Sequence, residues 1–320
     1  MKYALLFFAG ATACGSRVPA VPAAPTPLHA ADQACAVPLP LLAKQHTPNV
    51  TKLYLASLAV EGGAVKIGRP ALLTSKQGYV NQPAFSADGQ GLYFTWRPEG
   101  GQADIYLHDL RTGAERAITC SSVEEYAAAP TSEGLAVVRV EANLDRHVVR
   151  LGPDGRERQI LFPSLTSVGG QLWLDATTAV LFIAGESSSL VLADTRTGKL
   201  ETLVANVGAA TAKIPGTRDV SYVNQGDSAS DGHWNLMRLD VNTRATALVL
   251  PLPPAVDQVA WLPDGSVLAG AGTRIIRASA RAPTWQDVVD LAGAIDGTLA
   301  RVVISGDRTH VAFVVRAAQG

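Results

Sequence analysis

The sequence predicts an all-β chain folded as a six-bladed β-propeller of four-stranded antiparallel blades, and three observations carry that expectation. One pattern of short alternating runs and turn residues returns at intervals of roughly forty residues. The pattern is cut in half at both ends of the chain. No segment shows a sustained helical period.

In chain order, the first unit is half a copy. Lys52–Thr74, KLYLASLAVEGGAVKIGRPALLT, reads as the second half of a blade with no first half before it. Gln82–Thr119 is the clearest full copy. It runs from an apolar stretch (Pro83–Ser86) through an Asp88–Gly89 turn and two alternating runs (Leu92–Trp96 and Asp104–Asp109). A Thr112–Gly113 turn and a last short strand complete it. Glu125–Leu161, Gln171–Val204 and Thr211–Leu250 repeat this order of runs. Asp257–Leu291 repeats it closely, with Trp261 in place of Phe85 and Asp264–Gly265 in place of Asp88–Gly89. The last unit, Val302–Arg316, supplies Ile304, Ser305 and Asp307 at the matching places and stops after its second strand. The two half-copies complete one blade together. A closed ring needs such a seam, because an open one leaves sheet edges unpaired.

Phe85, Tyr93, Trp173, Phe182, Tyr222 and Trp261 recur at strand positions that would fill the space between neighbouring blades. The recurring Asp-Gly and Thr-Gly pairs occupy equivalent blade positions, which marks them as turn chemistry and not as acid sites.

The residues Pro83, Phe85, Ser86, Asp88 and Gly89, followed by Ile105, Tyr106, Asp109, Thr112 and Gly113, fit the blade pattern P-x-F/W-S-P-D-G and its I-W/Y-x-x-D/N-x-x-T/S-G hairpin. On these residues the chain resembles the TolB-like six-bladed propellers with Trp-Asp-repeat-like blades. The resemblance covers about Lys52 to Arg316 and is strongest in the first and fifth full copies. It implies a periplasmic module that associates with other envelope proteins. TolB itself carries an additional N-terminal α/β domain with no recognisable counterpart here, so the resemblance does not carry over a role in the Tol system.

The organisation expected is a signal peptide over 1–13, a Pro/Ala-rich tether over 14–47 and the propeller over 48–320. Met1-Lys2 and the apolar run after it have the make-up of an export signal too short to span a bilayer. Ala11-Thr12-Ala13 suits an ordinary signal peptidase. The same residues precede Cys14-Gly15-Ser16 in the arrangement of a bacterial lipoprotein box, and the tether directly after it favours lipidation of Cys14. Lipidation would leave an even pair, Cys35 and Cys120, able to form a disulfide in an oxidising compartment or to remain two structural thiols. The expected location is the periplasm or an outer-membrane anchor, with membrane contact through the lipid only.

The chain has 320 residues, is 47% hydrophobic and carries a formal net charge of −1. That balance supplies no basic stripe for phosphates, so no nucleic-acid partner is expected. A propeller's working surface is the mouth of its central channel, where loops enter the innermost strands. Alignment on the Asp-Gly turns places Asn81–Gln82, Glu124–Glu125, Gly169–Gly170, Ala209–Ala210, Asp257–Gln258 and Ala300–Arg301 there. Glu125, Gln258 and Arg301 are the expected directional contacts. Asn81, Glu125 and Asp257 have the chemistry for a channel Ca²⁺, but no acid recurs at one depth, and no metal or cofactor is expected. His46, His108, His147, His233 and His310 fall at unrelated blade positions. Gly185-Glu186-Ser187-Ser188-Ser189 lacks the closing glycine of a nucleophile elbow. The polar run 224–233 is a candidate recognition loop. The leading expectation is a non-enzymatic envelope module for a protein or peptide partner. The alternative is a metal-dependent propeller hydrolase, lactonase or lyase with its site at the channel mouth.

Overall fold

The computed structural model describes residues 50–152, 154–224 and 234–317. The predicted signal peptide, the tether with Cys14 and Cys35, and the loop 225–233 lie outside the described residues.

Among the described residues the structure is all strand and turn, arranged as six antiparallel sheets. The chain enters on β1 (Thr51–Glu61), β2 (Ala64–Ile67) and β3 (Ala71–Leu72). Blade one holds β4 (Tyr79–Phe85), β5 (Gly91–Arg97), β6 (Asp104–Asp109) and β7 (Glu115–Ala117). Blade two holds β8 (Glu124–Thr131), β9 (Gly134–Val140), β10 (Arg146–Leu151) and β11 (Glu157–Ile160). Blade three holds β12 (Val168–Trp173), β13 (Thr178–Ile183), β14 (Ser189–Asp194) and β15 (Leu200–Ala205). Blade four holds β16 (Val207–Lys213), β17 (Val220–Asn224), β18 (Asn235–Leu239) and β19 (Thr246–Pro251). Blade five holds β20 (Ala260–Trp261), β21 (Ser266–Ala271), β22 (Arg274–Ser279) and β23 (Ala282–Asp290). The chain closes on β24 (Thr298–Ile304) and β25 (His310–Arg316).

The sixth blade is the predicted composite, in the order β2-β1-β25-β24, with β3 also paired to β1. The seam is antiparallel from Thr51↔Arg316 to Ser57↔His310. Lys52 adds an ion pair to Asp296 at 2.6 Å. Each innermost strand (β4, β8, β12, β16, β20, β24) neighbours the next, and β24 returns to β4, so the ring is closed.

Apolar packing lies between blades, because each small sheet must cover its faces with those of its neighbours. Leu53, Ala312 and Val314 of the composite blade pack on Val80, Leu92 and Phe94 of blade one. On the far side, Tyr54, Val311 and Phe313 meet Leu262, Leu268 and Ile275 of blade five. The predicted aromatic fillers behave in this way. Phe85, Tyr93, Trp173, Phe182 and Trp261 each pack against such a cluster, and Tyr222 is buried within one.

The acidic turns also match expectation. Asp88 Oδ1 accepts hydrogen bonds from Ser86 Oγ at 2.5 Å and from the Gln90 amide at 3.0 Å. Asp264 and Asp307 hold Ser266 and Ser305 in the same way. At the other hairpin, Asp109, Asp194 and Asp240 each accept two backbone N–H groups. These donors hold the carboxylates below their ordinary pKa.

The innermost strands begin earlier than the alternation predicts: at Tyr79, Glu124, Val168 and Val207, against Gln82, Glu125, Gln171 and Thr211. The reason is a β-bulge near the start of the innermost strand in the first four blades and the composite, where the ladder shifts register. A bulge breaks the period of two, so the sequence alternation becomes visible only beyond it.

Candidate functional site

The bulges shape one end of the channel. Gln82 and Ala127 occupy equivalent places in β4 and β8, both with φ of +52°. The Ala127 amide donates to Gln82 Oε1 at 3.1 Å, and the Ala127 carbonyl accepts from Gln171 Nε2 at 2.9 Å. Side chains of blades one and three thus satisfy the backbone of blade two where its own ladder is interrupted. Gln82, predicted as a ligand contact, is engaged in this clamp.

The register also moves Glu124 and Glu125. Because Ala127 matches Gln82, the two acids lie two residues before the level at which sequence alignment placed them. Glu125 is 4% exposed and does not face the mouth. Both its oxygens accept from Ser121 Oγ, at 2.9 and 2.8 Å, and its charged neighbours are Asp104 and Arg139. Burial raises its pKa to about 7, and that of Asp104 to about 6. Asp104, 3% exposed, accepts from Thr119 Oγ1 at 3.1 Å. This pair was missed by the sequence reading, since its two members lie on different blades. Its burial keeps it from a substrate.

The mouth itself is built by the ends of the innermost strands and their neighbours. Gly78 and Gly297, at φ of +106° and +129°, directly precede β4 and β24. A Cβ at either would run into the carbonyl oxygen of Arg97 or Arg316, so only glycine lets these strand starts lie flat against the arginine backbones. The arrangement sets Tyr79 among Arg97, Arg301, Arg316 and Asn81, all of which act on its phenol. Burial raises the Tyr79 pKa, and the three arginines oppose it. The Arg97 guanidinium lies over the Tyr79 ring, 5.2 Å from its centre, and reaches Glu124 at 3.8 Å. Asp257 is also raised by burial and held back by Arg316 and Arg301.

Arg301 is the most enclosed of these groups. Protein atoms crowd it closely, yet part of its surface stays accessible. Among the described residues no hydrogen bond reaches its guanidinium and no carboxylate lies within 4 Å of it. Tyr79 and Asp257 act on it only through their charge. Burial lowers its pKa, but a guanidinium keeps its proton.

Of the residues predicted for the mouth, Asn81, Glu124, Asp257 and Arg301 therefore converge around Tyr79, and Gln258 is half-buried beside Asp257. Glu125 and Gln82 are used elsewhere. Tyr79, Arg97 and Arg316 were missed because they flank the aligned positions. Their signal was the shared Gly-x start at Gly78 and Gly297 opposite an arginine.

No protein-family model matches this chain, and no curated protein sequence does. Solved structures do. The putative TolB from Agrobacterium tumefaciens superposes with a TM-score of 0.61 at 12% identity, covering 84% of this chain and 99% of that one. The fold is that of a TolB-like propeller. TolB from Acinetobacter baumannii gives 0.54 at 14% identity over 83% of this chain, which spans 64% of that protein's length. The tricorn protease gives 0.51 at 12% identity over 76% of this chain and 26% of its own.

The histidines do not join the cluster around Tyr79. His108 Nδ1 pairs with Glu115 Oε1 at 3.1 Å, and His310 Nδ1 with Thr309 Oγ1 at 2.7 Å. His147 is buried, while His46 and His233 lie outside the described residues. Cys120 is in a disulfide whose partner lies outside the described residues.

Proposed function

We propose that this protein is an exported, lipid-anchored binding module of the cell envelope that takes a protein or peptide segment at its channel mouth. The observation that carries the reading is the gathering of Tyr79, Asn81, Arg97, Glu124, Asp257, Arg301 and Arg316 from separate strands around one opening. An aromatic ring with directional polar groups of both signs is the composition of a recognition surface. The enzymatic alternative needed Glu125 and Asp257 in one site with a histidine. Glu125 is instead buried beside Asp104, and Asp257 stands with two arginines.

The export signal and the lipoprotein box at Cys14 support the envelope location, and the tether gives the ring reach from a membrane. We assign Cys35 as the partner of Cys120, because lipidation consumes Cys14.

The test is affinity capture from envelope extract by the mature protein and by a Tyr79→Ala, Arg301→Met double variant, with intact mass and bound metal measured on the same samples. The reading expects a protein captured by the first and lost by the second. A stoichiometric divalent metal with no captured protein would instead favour a metal-dependent enzyme.

A further inference from the structure

We propose that Arg301 anchors a carboxylate of the segment entering the mouth, either an Asp or Glu side chain or a free chain end. This rests on the reading of the mouth as a peptide-binding surface and adds the chemistry of its occupant.

Elsewhere most of the partly buried arginines are tied to carboxylates, Arg139 to Glu141, Arg150 to Glu133, Arg244 to Glu201 and Arg277 to Asp264, while Arg146 is hydrogen-bonded to the Tyr126 phenol. Arg301, half-buried like these, has no such partner among the described residues. A guanidinium presents five N–H donors that water satisfies poorly inside a narrow channel, so an unpaired one is an anion site in waiting.

The surrounding charge has the same sense. Arg97, Arg301 and Arg316, with Arg146 beside Tyr126, outnumber Glu124 and Asp257, so positive charge is in excess. Asp257 acts on Arg301 and Arg316 at once and makes no ion pair within 4 Å with either. Tyr79 supplies a phenolic donor beside the guanidinium. Asp257 beside the arginines repels any anion, and a phosphate dianion more than a single carboxylate.

The experiment uses an array of ten-residue peptides, each made in acidic form and with Asp and Glu changed to Asn and Gln, each with a free or an amidated C-terminus. It is probed with the wild-type protein, Arg301→Met, Arg301→Lys and Asp257→Asn, with circular dichroism confirming that each variant is folded. Wild type should bind the carboxylate-bearing forms about tenfold more strongly than their amide counterparts. Arg301→Met should abolish that preference, Arg301→Lys should keep part of it, and Asp257→Asn should tighten binding. Peptides that bind equally in acid and amide form, with Arg301→Met indistinguishable from wild type, would overturn the anchor and leave the mouth reading standing. Saturation of the site by inorganic phosphate with no peptide bound would overturn it in favour of a phosphate site. No binding by any peptide would contradict both.

Discussion

Gln82 and Ala127, on adjacent blades, are joined by a hydrogen bond from the Ala127 amide to Gln82 Oε1 at 3.1 Å. The same oxygen accepts from Thr95 Oγ1 at 2.9 Å. Removing it with Gln82→Ala leaves a half-buried N–H with only a longer contact to Thr95 Oγ1, at 3.3 Å. The expected loss is about 1–2 kcal/mol of stability in urea unfolding. Ala127→Gly relaxes the positive φ and should stabilise the fold by up to about 1 kcal/mol. Opposite signs for the two variants are the check, and equal losses would contradict the clamp.

The seam offers a steric prediction. Gly297→Ala places a Cβ against the Arg316 carbonyl in a backbone region closed to L-residues. A loss of about 2–4 kcal/mol follows. Gly185→Ala, where nothing lies within 4 Å of the added carbon, should leave the unfolding midpoint nearly unchanged.

The Asp104 and Glu125 pair predicts a pH profile. Both folded pKa values, about 6 and about 7, lie above those of an unfolded chain, so the folded state holds its protons more tightly. Stability from this pair is greatest below about pH 4, falls as pH rises toward 7, and levels off above. The Glu125 share is on the order of 3 kcal/mol. Glu125→Gln should flatten the slope between pH 4 and pH 7, read by thermal unfolding at each pH. A wild-type profile that rises over that window would refute the assignment.

Much of the ring was legible in the sequence because its signals are local. Asp88-Gly89 and Asp264-Gly265 mark turns through bonds to residues two positions away, and Lys52–Thr74 shows its missing half by pattern alone. The mouth was legible only in part. Asn81, Asp257 and Arg301 could be placed by counting from a turn, but the count slipped by two residues at Glu124 and Glu125, because the blade-two hairpin closes at Thr131↔Gly134 with two fewer turn residues than the Ser86–Gly91 hairpin of blade one. Degenerate alternation carries no mark of a bulge. Nor does sequence show that Glu125 turns toward Asp104, a contact between blades that depends on ring closure.

The disulfide gives a covalent test. Peptide mapping should recover Cys120 joined to Cys35, and Cys120→Ser should cost about 4 kcal/mol, the entropy of closing a loop of that length. Recovery of Cys120 joined to Cys14 would contradict both this pairing and lipidation at Cys14.

On the proposal above, this propeller meets its partner at the channel mouth. The most direct test places a photoreactive amino acid at Gln258, on the mouth, or at Gly306, in a turn at the opposite end of the strands, and irradiates each protein in envelope extract. A discrete crosslinked species is expected from position 258 and none from position 306. Crosslinking from position 306 alone would place recognition on the other face and contradict it.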